Sequence, residues 1–139
     1  MQKLLISASL GLMLSACQTT AFETPVADFD YGEPPEYSET ELKDVVGGIL
    51  KDEESARYRF GEMQKAYCNT GVLSGGKVVW SGWVLPLQVN ARNSYGGYNG
   101  YTSYYARYDD GALLDVSPKH DHSAWDFVPK LGTGCSLVR

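Results

Sequence analysis

From Ser38 to Lys51 the apolar residues recur with a helical period, Leu42, Val45, Val46, Ile49 and Leu50 standing at i, i+3, i+4, i+7 and i+8. Ser38 and Glu41, three residues apart at the start, have the spacing of a capping box, whose two side chains satisfy backbone N–H groups that a helix end leaves unpaired. Gly47 and Gly48 each weaken a helix by up to about 1 kcal/mol relative to Ala, so packing must hold this one and a bend is expected there. At Ala56 the period becomes two: Ala56, Tyr58 and Phe60 alternate with Arg57 and Arg59, the signature of a half-buried strand. Gly61 to Asn69 fits either a short helix or a continued strand. Lys77–Trp83 and Leu85–Asn90 read as two strand pieces broken near Gly82 and Pro86, because proline cannot donate to a central ladder. Tyr98–Tyr108 is a further strand. Asp109-Asp110-Gly111 turns it into Ala112–Val116, with the Asp-Gly pair supplying the positive φ angles of a type I′ hairpin. Beyond Pro118 regular patterning lapses, leaving room for one helical turn at Ser123–Phe127 and a tail from Pro129 to Arg139. The sum is an α+β domain in which one N-terminal amphipathic helix packs on a mostly antiparallel sheet of four to five strands.

Charge and length narrow the setting. The chain has 139 residues, with 12 Lys and Arg against 17 Asp and Glu for a formal charge of −5. That length suits one modest domain, and the acidic balance excludes a basic surface broad enough to neutralise nucleic-acid phosphates, so no nucleic-acid partner is expected. Residues 18–37 hold five acids, three prolines and neither Lys nor Arg. Such a segment buries too little to offset its chain entropy, so an acidic, extended tether is expected ahead of a domain at 38–139.

Lys3 precedes an apolar run from Leu4 to Leu14, short of the roughly 20 residues that cross a bilayer, and Leu14-Ser15-Ala16-Cys17 follows it. This arrangement resembles the signal and lipobox of bacterial lipoproteins. The resemblance implies that residues 1–16 are a signal peptide removed on export, and that the thiol of Cys17 receives a diacylglyceryl group. It also implies that the new amine is acylated by a fatty acid such as palmitate. Residues 17–37 are then the lipidated cysteine and its tether. Several acyl chains give stable anchoring without a membrane span, since each buried CH₂ contributes about 0.8 kcal/mol. Gln18 rather than Asp after the acylated residue implies, by the sorting rule of such lipoproteins, the cell outer membrane, with the domain in the periplasm or at the cell surface. With Cys17 acylated, Cys68 and Cys135 remain, and an even pair in an oxidising compartment reads as one disulfide.

Signals for catalysis are weak. There is no Gly-x-Ser-x-Gly elbow, His-Glu-x-x-His or Cys-x-x-Cys. Gly71–Lys77 has the spacing of a phosphate-binding loop, but Val78 stands where a Ser or Thr must meet Mg²⁺ and the segment leads into a strand, so it reads as a Gly-rich hairpin loop. His120 and His122 flank Asp121 and are candidate metal ligands, yet a structural zinc site takes four and the other donors have no recognisable spacing. Neither a cofactor nor an enzymatic activity is expected.

The most distinctive stretch is Asn90-Ala91-Arg92-Asn93-Ser94-Tyr95-Gly96-Gly97-Tyr98-Asn99-Gly100-Tyr101. Together with Leu50-Lys51-Asp52-Glu53-Glu54-Ser55-Ala56-Arg57-Tyr58-Arg59-Phe60, it resembles a family of small exported proteins and lipoproteins of proteobacteria. Relatives have Pro where Glu53 stands here, and many carry a Cys just ahead of the Asn-rich segment, where this chain has Val84-Leu85-Pro86-Leu87-Gln88-Val89. The resemblance implies a fold and a location rather than an activity. Six of the ten tyrosines lie between residues 95 and 108. Strand alternation would put Tyr98, Tyr104 and Tyr108 on one face and Tyr101 and Tyr105 on the other, one set under the helix and one toward solvent. Tyrosine offers a rigid ring with a hydrogen-bonding tip, useful for protein and sugar partners alike. Asn93, Tyr95, Tyr98, Tyr101 and Tyr105 are therefore the candidate interaction surface. The expected function is a non-catalytic interaction or structural module of the envelope, held to the membrane by its N-terminal lipid and bound to an envelope protein. The alternatives are binding of peptidoglycan or a surface glycan, and inhibition of a hydrolase.

Overall fold

The computed structural model describes residues 29–70, 74–121, 125–129 and 133–139. The signal-like segment, Cys17 and His122 lie outside them. Among the described residues there is one helix, α1 (Glu39–Gly47), followed by six strands: β1 (Arg57–Phe60), β2 (Gln64–Asn69), β3 (Val78–Asn90), β4 (Thr102–Asp109), β5 (Ala112–Pro118) and β6 (Gly134–Leu137). All pairings are antiparallel, in the order β5-β4-β3-β2-β6, and β1 joins β3 beside β2. The sheet thus has six strands rather than four to five. The count rises because the ambiguous segment 61–69 yields β2, and because part of the expected irregular tail forms β6 against β2.

The helix is shorter than its hydrophobic period suggests and, at Glu39–Gly47, does not sit at the N-terminus of the chain. The Ser38 hydroxyl accepts from the Glu41 N–H at 3.3 Å, as capping requires. After Gly47 the pattern tightens to i→i−3 bonds, Ile49 N–H to Val46 O and Leu50 N–H to Gly47 O. The stripe therefore splits. Leu42 and Val46 are fully buried, each stabilising by about 1.5–3 kcal/mol, whereas Val45 and Ile49 are exposed.

Strand β3 runs unbroken for thirteen residues through Gly82 and Pro86. Pro86 is tolerated because its partner changes there: its carbonyl accepts from Gly61 N–H at 2.8 Å, so its nitrogen faces the gap between β1 and β2, where no ladder acceptor waits. Gly82 is required by proximity, since a Cβ would meet the Trp80 ring at 2.6 Å and the Tyr108 carbonyl at 2.7 Å. Asp110 and Gly111 adopt φ of 46° and 81°, forming the expected turn between β4 and β5.

The sheet buries both faces. Leu85, Leu87 and Val89 of β3, Ala106 and Tyr108 of β4 and Val116 of β5 pack with Leu42 and Val46. On the opposite face Val84, Tyr105, Ala66 and Cys68 pack with Phe127 and Cys135. Phe127 makes extended bridges to Lys119 and Cys135, in place of the helical turn expected around it. Cys68 and Cys135 stand directly opposite one another on β2 and β6, with Cα atoms 4.0 Å apart, and form a disulfide. Upstream of α1, residues 29–37 lie in contact with the sheet domain: the Trp83 indole N–H donates to the Tyr31 carbonyl at 2.7 Å, and the Tyr37 ring sits 5.9 Å from that of Phe60.

Tyr108 carries a cost into the helix-side core. Its hydroxyl is buried without a hydrogen-bond partner among the described residues, and burial, aided by Glu41 and Tyr37, pushes its pKa to about 12. An unfolded tyrosine ionises near 10. Between about pH 10 and 12 the unfolded chain therefore binds fewer protons than the folded one, and stability falls as pH rises. Tyr108→Phe is expected to raise stability at pH 7 by about 1 kcal/mol and to flatten this alkaline loss, measurable by thermal melts at pH 7 and pH 11.

Candidate functional site

The connection from β3 to β4 is built around one side chain. Asn93 Oδ1 accepts from the N–H groups of Tyr95 and Gly97 at 2.9 and 3.1 Å, and its Nδ2 donates to Asn99 Oδ1 at 3.0 Å. Its main chain closes the same turn, with Asn93 N–H donating to Gly97 O and Gly96 N–H to Asn93 O. An Asn that bonds its own neighbours holds a polar loop in shape without a hydrophobic core beneath it.

This loop docks on the residues that lead into β1. Ser55 Oγ accepts from the Arg92 N–H at 2.9 Å and donates to Asp52 O at 2.9 Å, while the Tyr98 hydroxyl donates to Ser55 O at 3.1 Å. Lys51 Nζ donates to Ser94 Oγ at 2.7 Å. The two sequence segments singled out above, 50–60 and 90–101, thus clasp one another at one end of the sheet.

Arginines line the clasp. The Arg57 guanidinium lies 4.7 Å from the centroid of the Tyr98 ring, that of Arg92 5.7 Å from the same ring, and that of Arg59 3.9 Å from Tyr101. Each such contact contributes about 0.5–1 kcal/mol at an exposed site. Among the described residues none of these three arginines has a carboxylate within ion-pair distance. Tyr95, at the tip of the loop, is 97% exposed.

Four of the five residues proposed as an interaction surface therefore come together: Asn93 shapes the loop, Tyr95 projects from it, and Tyr98 and Tyr101 carry the cations. Tyr98 and Tyr101 precede β4, so strand alternation does not govern where they point. Tyr105 does not belong with them. It is 7% exposed and its ring lies 4.8 Å from that of Phe127, and burial, then the nearby Asp126 carboxylate, pushes its hydroxyl pKa up. At Tyr105 the face opposite the helix is covered by Phe127 and Cys135, where the sequence pattern offers a helical turn at Ser123–Phe127 and an irregular tail from Pro129. The arginines were not singled out from sequence. The available signal was the period-two Arg57-x-Arg59, which already aimed both away from the helix.

His120 lies in an exposed turn, its N–H donating to Asp126 O at 3.2 Å. Among the described residues no group of three or more His, Cys, Asp or Glu is arranged to hold a metal ion. Of the Gly71–Lys77 segment, residues 71–73 lie outside the described residues; Thr70 and Lys77, which flank the β2–β3 connection, are joined by Thr70 N–H to Lys77 O and Lys77 N–H to Thr70 Oγ1, both 2.9 Å. No helix among the described residues is long and apolar enough to cross a membrane. Comparison of the chain with protein-family models, with curated proteins and with solved structures finds no match.

Proposed function

We propose that the protein is a non-catalytic interaction module of the cell envelope, anchored in the outer membrane by a lipid on Cys17, with the arginine–tyrosine end of its sheet as the working surface. The observation that carries this reading is the set of three guanidiniums, Arg57, Arg59 and Arg92, that have no ion-pair partner among the described residues and lie over the Tyr98 and Tyr101 rings beside the exposed Tyr95. Arg and Tyr are enriched where protein surfaces meet partners, because they combine large rigid area with directional hydrogen bonding. A photo-crosslinking residue at position 95 in intact cells is expected to capture one reproducible envelope protein, with the crosslink lost in an Arg57→Ala/Arg59→Ala variant. Capture of lipid and abundant porins alone would refute the reading. Palmitate labelling of the wild type that disappears in Cys17→Ala tests the anchor.

A second reading, binding of peptidoglycan or a surface glycan, is favoured by a cleft that Arg59 lines together with Gln88, Ser103 and Lys119. Retention of the protein on purified cell-wall sacculi tests it, and a protein left wholly in the supernatant would exclude the wall.

A further inference from the structure

Beyond the clasp, the face opposite the helix bears a lane of polar side chains set by strand register. Arg59 of β1 pairs with Gln88 of β3, which pairs with Ser103 of β4, so the three point to the same side of the sheet. The next position outward is Lys119, whose N–H donates to Ser103 O at 2.9 Å. With strands about 4.8 Å apart, the two cations are anchored roughly 14 Å from one another, with an amide and a hydroxyl between them. A cleft of about 300 Å³ lies here, lined by these four residues and by Pro86 and Tyr105 among others, and no Asp or Glu lines it. Gln88 and Ser103 satisfy each other poorly, at 3.5 Å. Arg59 lies against Tyr101 with its N–H edge unpaired among the described residues. Among the described residues, the ion-pair contact of Lys119 is a long one of 3.8 Å to the exposed Asp121, a pair of the kind that contributes little in water.

We infer that this cleft is a binding site for a carboxylate-bearing saccharide. Arg59 receives the carboxylate through its guanidinium fork, Gln88 and Ser103 exchange hydrogen bonds with ring hydroxyls, and Lys119 closes the far side. The size decides against larger ligands, since 300 Å³ is at the lower end for ligand pockets and holds about one ring. Two cations with an amide and a hydroxyl between them match a ligand bearing both an anionic group and hydroxyls, and the Pro86 and Tyr105 surfaces in the same lining suit the apolar face of a sugar ring. A guanidinium already held 3.9 Å from the Tyr101 ring centroid loses little freedom when it engages a carboxylate, which favours bidentate recognition. The inference deepens the glycan reading and rests on it.

The test is an NMR titration of the full-length protein in detergent, reading the Gln88 side-chain amide and the Arg59 Nε–H. The probes are glucuronate, N-acetylmuramate, their neutral counterparts glucose and N-acetylglucosamine, and acetate. At least one of the two acids is expected to shift both signals and to bind at least tenfold more tightly than its neutral counterpart and than acetate. Preference for N-acetylmuramate assigns the cell wall as source, and preference for glucuronate assigns a surface polysaccharide. Arg59→Gln and Lys119→Gln, checked for an unchanged melting temperature, should each weaken binding at least fivefold. No shift with either acid, equal response to neutral sugars, or acetate binding as tightly as the sugar acids would each overturn the inference. Sacculus retention without such shifts would place glycan binding elsewhere on the protein, leaving the broader reading intact while this cleft is excluded.

Discussion

Replacing Cys68 and Cys135 by Ala, or reducing the disulfide, is expected to lower stability by about 2–4 kcal/mol and the melting temperature by about 10–25 °C. The bond closes a loop with a sequence separation of 67 residues, for which the chain-entropy account gives about 4 kcal/mol. Local structure makes the dependence stronger at one place. Strand β6 has four residues, and among the described residues its one strand ladder is with β2, with a single bridge from Cys135 to Phe127 on its other side. It positions Cys135, and Cys135 main chain holds Phe127 through mutual bonds of 2.9 and 3.3 Å. Once the crosslink is gone, a four-residue ladder, one bridge to Phe127 and a few hydrogen bonds such as Leu137 N–H to Asp126 Oδ2 must hold the C-terminal cover over Tyr105 and Val84. Hydrogen exchange should therefore show residues 134–137 losing protection before β3 and β4, with the loss preceding global unfolding. A melting temperature within about 3 °C of wild type, or uniform loss of protection, would contradict this account.

Elements whose borders are set by local chemistry were legible from sequence, and elements whose borders are set by distant partners were not. Ser38 and Glu41 locate the start of α1, and Asp110-Gly111 locates the β4–β5 turn, because capping and positive φ are properties of the residues themselves. The end of α1 is different. The apolar spacing continues through Ile49 and Leu50, yet the helix stops at Gly47 because two glycines allow the tighter turn, through which Leu50 still reaches the core that buries Leu42 and Val46 while Val45 and Ile49 face solvent. Pro86 reads as a break since a central strand normally needs every N–H, and only the handover from β1 to β2 makes its missing donor harmless. Strand β6 is too short to show a period and exists through its ladder with β2 and the disulfide. The working surface divides the same way. Asn93 and the tyrosines stood out by composition, but the stacking of Arg57 and Arg59 on Tyr98 and Tyr101 depends on a loop forty residues downstream folding back over β1.

A buried ion pair gives the second large effect. Arg107 is 4% exposed, and its Nε and Nη2 donate to the two carboxylate oxygens of Asp115 at 2.9 and 3.0 Å. Its guanidinium lies 4.8 Å from the Trp80 ring centroid, and Nη1 reaches Cys68 Sγ at 3.9 Å. A cation withdrawn from water to this degree depends on its one carboxylate, since an aromatic face and a sulfur offset only a small part of its lost hydration. Asp115→Ala is therefore expected to destabilise by about 3–5 kcal/mol, because it leaves the charge in place and removes its counter-ion. Arg107→Met combined with Asp115→Leu should recover most of that loss, since apolar residues of similar volume carry no desolvation cost. Arg107→Lys should be intermediate, a single ammonium being unable to reproduce the two parallel bonds. Denaturant melts of the four proteins check the order, and equal stability of Asp115→Ala and the double replacement would refute it. Because Arg107 touches the disulfide sulfur, Asp115→Ala and loss of the crosslink share partners. Their combined cost is expected to depart from the sum of the separate ones by at least about 0.5 kcal/mol, the size of coupling seen between residues in contact.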